Sequence, residues 1–212
     1  MTRSMALLLT LVCLCGVAFA QSGWTDLFPD AKFTGWTRLP IPPTGKLTDV
    51  PQWKVDTARR LIVCEGNGGH DWMRCDREFS NFLLHVEWRF TKKAEGEQKY
   101  NSGIFVRNSA DASIWHQAQT GGATGGWLFG DTLVNGVKQR VNLRSQAKSG
   151  LEKPAGEWNT FDIRCEGRTI ALTVNGSLAC EMTNCEVPKG HIGLEAEGYR
   201  IEFRNLRIKE LR

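Results

Sequence analysis

The chain has 212 residues and a formal net charge of +4, from 27 Lys and Arg against 23 Asp and Glu. That excess is small and scattered, which excludes the concentrated basic footprint of a nucleic-acid-binding protein. Its length suits one domain with a sizeable core.

Residues 1–20 carry Arg3, an apolar run from Ala6 onward and the ending Ala18-Phe19-Ala20. This is the three-part pattern of a secretory signal peptide cleaved near Ala20/Gln21. It predicts an exported chain, secreted or periplasmic, with a single domain over residues 21–212. No later apolar stretch is long enough to span a bilayer, so no membrane span is expected in the mature form. Five cysteines remain there: Cys64, Cys75, Cys165, Cys180 and Cys185. In an oxidising compartment Cys64 with Cys75, and Cys180 with Cys185 or Cys165, are candidate pairs because each brackets a turn-rich segment. None has CxxC spacing, which argues against zinc or thioredoxin-type chemistry.

From Trp24 onward the chain reads as short strands bounded by Gly, Pro, Asn or Asp, with no sustained helical stripe. Gly35 to Pro51 holds Pro40, Pro42, Pro43 and Pro51 and is expected to be a loop. Trp53–Val55 and Arg60–Cys64 read as a hairpin. The clearest strand runs from Asn81 to Phe90, with Phe82, Leu84, Val86, Trp88 and Phe90 on one face and Leu83, His85, Glu87 and Arg89 on the other. NSGIFVR (Asn101–Arg107) and SIWHQAQ (Ser113–Gln119) follow, the latter with Trp115, Gln117 and Gln119 opposite Ile114, His116 and Ala118. Gly121 to Gly130 is rich in Gly and polar, the composition of a loop that covers a site. Trp158–Glu166 and Thr169–Val174 are strands, and Asn175-Gly176 is a type I′ hairpin signal. In the closing GHIGLEAEG, Ile192, Leu194 and Ala196 point one way while Glu195 and Glu197 point the other. Many antiparallel strands with long connections predict an all-β, two-sheet antiparallel β-sandwich of the jelly-roll type.

No HExxH, GxSxG or phosphate-cradling Gly loop is present, which leaves metalloprotease, serine hydrolase and nucleotide-binding readings without their defining parts. The outward residues suit saccharides, which need aromatic faces together with amides, carboxylates and Arg to satisfy many hydroxyls. Glu87, Arg107, Trp115, Gln117, Gln119, Glu195 and Glu197 supply that inventory, with Trp72 and Trp127 in loops where a ring could lie over a ligand. Of these, Glu87, Glu195 and Glu197 can move protons if burial or a neighbouring carboxylate raises a pKa. His116 is a further contact candidate, although it faces away from Gln117; His70, His85 and His191 are loop or face positions. No cofactor is expected; the loop residues Asp26, Asp30, Asp71 and Asp76 are the one option for Ca2+, without a recognisable loop spacing.

The order GWTDLF, FLLHVEWRF, NSGIFVR, IWHQAQ, PAGEWNTFDI, VNG, GHIGLEAEG and FRNLRIKEL resembles the 3-keto-disaccharide hydrolase family over nearly all of the mature chain. The resemblance implies a concanavalin A-like sandwich, bacterial export and cleavage of an oligosaccharide or other glycoside already oxidised to a 3-ketone. That chemistry removes the acidified C2 proton and expels the C1 leaving group. By position it also implies Asn101 and Ser102 as substrate contacts beside Glu87, Arg107, Gln117, Gln119, Glu195 and Glu197, with Glu195 or Glu197 as base and Glu87 as acid or orienting group. The chain departs from many relatives by having Gln117-Ala118-Gln119 for Glu-x-Gln and Glu195-Ala196-Glu197 for Gln-x-His. A noncatalytic glycan-binding module on the same fold is the alternative reading.

Overall fold

The computed structural model describes residues 23–93 and 99–212, so the predicted signal peptide lies outside the described residues. Period-two alternation is realised there as fifteen strands. In chain order these are β1 (Thr25–Asp26), β2 (Trp36–Pro40), β3 (Trp53–Asp56), β4 (Leu61–Cys64), β5 (Asp71–Phe79), β6 (Phe82–Phe90), β7 (Ser102–Asn108) and β8 (Trp115–Thr120). They continue as β9 (Leu128–Val134), β10 (Val137–Asn142), β11 (Asn159–Glu166), β12 (Thr169–Val174), β13 (Ser177–Met182), β14 (Gly190–Ala196) and β15 (Ile201–Glu210).

Two antiparallel sheets result, ordered β13-β12-β11-β6-β15-β4-β3 with β1 beside β15, and β10-β9-β8-β7-β14-β5-β2. The inward faces meet in one core. Phe82, Leu84, Val86, Trp88 and Phe90 of β6 are fully buried, as are Ile104, Val106, Ala118, Leu128, Ile192 and Leu194 from the seven-stranded sheet. Burying each large side chain contributes about 1.5–3 kcal/mol, and that fixes which way every strand faces. No helix of the described residues is long and apolar enough to cross a membrane.

Buried Asp71 joins the two sheets. It accepts hydrogen bonds from Trp53 Nε1 at 2.8 Å and Gln52 Nε2 at 2.6 Å, and Arg38 Nε donates to it at 2.7 Å. The β3–β4 hairpin forms with Trp53 opposite Cys64. Asn175 and Gly176 take φ of 48° and 81° in the β12–β13 turn, as a type I′ turn requires.

Three expectations are corrected. The segment Gly35–Pro51 is not all loop: Trp36–Pro40 forms the edge strand β2, where a terminal proline leaves no ladder bond unmade. The Gly-rich stretch ends earlier than expected, because Leu128–Gly130 already belong to β9, with Leu128 in the core. The five cysteines are free and buried rather than paired. Cys64 and Cys75 stand on different sheets as core residues.

Candidate functional site

A cleft of about 750 Å³ opens on the face of the seven-stranded sheet turned away from the core. Its floor comes from alternation. In β14 the residues Ile192, Leu194 and Ala196 enter the core, so Glu195 must project outward; in β8 Ala118 does the same for Gln117 and Gln119. Gly103 lies between them on β7. A Cβ there would collide with the Gln117 side chain, so its absence lets Gln117 cross β7 and donate from Nε2 to Glu195 Oε2 at 2.6 Å. Gln119 Nε2 in turn donates to Asn101 Oδ1 at 2.5 Å, which sets Asn101 at the cleft edge.

The other Glu195 oxygen, Oε1, lies 2.8 Å from Nε2 of His70, the residue just before β5. Glu197 Oε2 is 4.0 Å from the same nitrogen. One buried carboxylate, one partly exposed carboxylate and one imidazole therefore share a corner of the cleft. Burial works against charge on His70, but the Glu195 hydrogen bond and the charges of Glu195, Glu197 and Asp71 outweigh it and raise its pKa above 6.5. Burial, then repulsion from Glu195, raises Glu197 above the usual carboxylate range, partly offset by His70. The ligand-type atoms of the three lie within 4.8 Å of one another, close enough for one divalent cation to bridge.

The walls are aromatic. Trp115 packs edge-on against Phe129 at 5.0 Å between centroids and against Phe105 at 6.3 Å. The Arg140 guanidinium lies over Trp115 at 5.1 Å and that of Arg144 over Trp127 at 4.9 Å. Tyr100, Ile41 and Pro43 also line the cleft, and Gly121 and Thr124 of the β8–β9 loop complete its rim. Such rings offer flat faces to sugar C–H surfaces while the floor offers amides and carboxylates.

Of the residues expected from sequence, Glu195, Glu197, Gln117, Gln119, Asn101, Trp115 and Trp127 meet here. Five others do not. Glu87 sits on β6, on the outer face of the other sheet, where Arg204 Nε donates to it at 2.7 Å and Asn205 Nδ2 at 2.5 Å. Burial opposes its ionisation, but those two bonds prevail and hold it below the usual carboxylate range, so it is a structural anion and not the acid. Arg107 would share the outward face with Phe105 in a regular strand. However, β7 carries an extra residue against β14, since His191 pairs with Asn108 and Gly193 with Phe105. Arg107 takes φ of 50° in this bulge and turns into the protein, donating to the carbonyls of Ser80, Gly167 and Val187 and to Asn81 Oδ1.

His116 is fully buried on the core side, with Nε2 2.9 Å from Thr132 Oγ1 and 3.4 Å from Cys185 Sγ. Ser102 is buried too, its Oγ donating to the backbone oxygen of Glu195 at 2.8 Å, so it supports the site from below. Trp72 stands on β5 rather than in a loop, opposite Glu195 on the outward face of the sheet, but it is fully buried there, across the space left by Gly193 and edge-on to Phe105. The aspartates considered for calcium are each engaged separately: Asp26 by Arg60, Asp30 by Thr34, Asp71 by Arg38 and Asp76 by Arg74 and Thr37.

Sequence reasoning left His70 among several loop or face histidines and did not single out Tyr100, Phe105, Phe129, Asn142 or Arg144. Phe105 and Phe129 follow from strand parity once their neighbours are known to be core. His70 and Arg144 lie outside strands, where no periodicity points at them.

Comparison with known proteins agrees with this architecture. Two Parabacteroides distasonis proteins named as glycosyl hydrolases superpose with TM-scores of 0.59 and 0.60 at 18% and 20% identity, covering 89% and 90% of this chain and 99% and 94% of theirs. A Bacillus licheniformis β-glucanase matches with TM-score 0.53 and 14% identity over 84% of this chain and 94% of its own. At these identities the likeness is one of fold. No curated protein sequence matches the chain. The model of the 3-keto-α-glucoside 1,2-lyase-like domain does match, over residues 23–209. With the match spanning nearly every described residue, this carbohydrate-active chain belongs to the 3-keto-α-glucoside 1,2-lyase-like family.

Proposed function

We propose that the protein is an exported enzyme that cleaves 3-keto-glycosides by removing the C2 proton and expelling the C1 substituent. The observation that supports this most is the meeting of His70, Glu195 and Glu197 in one corner of an aromatic-walled cleft. A ketone at C3 acidifies the C2 hydrogen, so a raised-pKa carboxylate is a competent acceptor, and Glu197 is the partly exposed one. Glu195 is buried and held by Gln117, which suits it to orienting His70. With Nε2 engaged by Glu195, His70 has Nδ1 for a substrate oxygen, where the imidazolium stabilises the enolate or returns a proton to the departing oxygen. The C2 proton passes to Glu197, the C1–O bond breaks with its electron pair on oxygen, and water added to the resulting C1–C2 double bond yields the free 3-keto-sugar. The paired-carboxylate geometry of ordinary glycosidases is not required.

Separate Glu195→Gln, Glu197→Gln and His70→Asn variants, assayed on a 3-keto-glucoside, test these roles. Glu197→Gln is expected to lower kcat by about 10²- to 10⁴-fold, and undiminished turnover in both glutamate variants would remove the roles assigned to them. A second reading, a noncatalytic glycan-binding module, draws on the floor between the walls, where Gln117, Gln119 and Asn101 are amides that cannot move protons at ordinary pH. Binding of unoxidised glucans with no product on long incubation would favour it.

A further inference from the structure

The rim loop between β8 and β9 is tied from beneath by a carboxylate outside the catalytic corner. Glu152 is buried, and its Oε2 accepts hydrogen bonds from the backbone amides of Gly121 at 3.2 Å and Gly125 at 2.8 Å. Its Oε1 is buried and has no hydrogen-bond partner among the described residues. An unpartnered buried oxygen is costly, so the arrangement is held by what surrounds it.

The base of the tie is rigid. Lys153 N donates to Asn159 Oδ1 at 2.8 Å, Asn159 Nδ2 returns a bond to Lys153 O at 3.2 Å, and Asn175 Nδ2 donates to Leu151 O at 2.7 Å. Residues 151–153 are thereby fastened to β11 and to the β12–β13 turn of the opposite sheet. The loop, by contrast, has few bonds of its own. Thr124 N and Oγ1 both reach Gly121 O, and Gly126 N reaches Gln119 O. Gly125 is glycine for a visible reason: a Cβ there would stand 2.5 Å from Glu152 Oε1 and 2.6 Å from Gly121 N. Gly121, Thr124 and Trp127 all face the cleft, so where this loop lies decides the shape of that wall.

We propose that Glu152 is a positioning residue that clamps the Gly-rich loop and so sets the affinity of the cleft for the part of the ligand seated against Trp127, without touching it. Burial raises Glu152 to about 7, against the pull of the Gly125, Ala123 and Gly121 amides.

The consequence for binding rests on the sugar-cleft reading; the clamp itself does not. The test compares wild type with Glu152→Leu, Glu152→Gln and Gly125→Ala, by amide hydrogen exchange and by steady-state kinetics on a 3-keto-glucoside. Glu152→Leu removes the acceptor, whereas the Gln carbonyl still accepts both amides. The Leu variant is expected to exchange at Gly121 and Gly125 about tenfold faster or more and to raise KM about tenfold, with kcat within about twofold. Glu152→Gln is expected to retain most of both. Gly125→Ala leaves Glu152 intact and pushes the loop off it, so it should reproduce the Leu signature even if Leu at 152 compromises folding. Unchanged exchange at those amides in both the Leu and Ala variants overturns the clamp, as does a Gln variant that exchanges as fast as Leu. A loss confined to kcat overturns the affinity role. If wild type does not turn over the 3-keto-glucoside, the function proposed above fails and the exchange measurements alone decide on Glu152.

Discussion

Gly103 and His70 show how single residues decide the chemistry of this surface. Gly103 has an ordinary backbone conformation, so its value is the empty space that Gln117 occupies on its way to Glu195. Gly103→Ala should displace the Gln117 side chain from Cγ outward, with a stability loss of about 1 kcal/mol or more, a few degrees in Tm. Because the Gln117–Glu195 bond is lost, binding or turnover should fall by about tenfold, and a full loss of Tm without a change in function would contradict this. His70 carries a pH signature. Its folded pKa lies above 6.5, so the stability it gains from Glu195 is complete below pH 6.5 and is lost as pH rises through the raised value. The Tm difference between wild type and His70→Asn should therefore be largest in mildly acidic buffer and shrink toward alkaline pH; a difference that grows with pH would reverse the assignment.

At the scale of elements, the β7 bulge separates what alternation could and could not reveal. The outward placement of Gln117, Gln119, Glu195 and Glu197 was legible because each stands next to a core alanine, Ala118 or Ala196, on a strand that alternates in period two. Arg107 obeys the same parity on paper, yet one inserted residue turns it into the protein. Nothing in NSGIFVR marks that insertion, since the conformation is adopted by an arginine where a glycine would have advertised it. Glu87 failed for another reason: alternation tells which face of a strand a residue occupies, never which of the two sheets the strand joins. The bulge also carries a stability prediction. Arg107→Met would remove the guanidinium's bonds to three carbonyls and to the Asn81 oxygen in a partly buried environment, leaving Asn81 Oδ1 only the Gly167 amide. We expect a loss of about 3 kcal/mol, roughly 10 °C in Tm for a chain of this size, with any KM and kcat of the surviving folded protein on a 3-keto-glucoside nearly unchanged. Calorimetry beside kinetics separates this from a substrate-binding role, which would show in KM.

Across the whole molecule, the sandwich was readable because fifteen short strands and their turns repeat one signal many times, so local errors such as the missed β2 edge left the architecture intact. The cleft was readable only where strands line it. Its loop-borne parts, His70, Tyr100, Arg144 and the Glu152 tie, come from segments far apart in the chain that the fold alone brings together. Asp71 adds a last connection. It follows His70 directly in the chain and is gripped by Trp53 from the opposite layer. The imidazole thus takes its aim from the seam between the two layers. Any sliding of one layer over the other, however slight, would swing the ring away from Glu195 while the chain stayed folded.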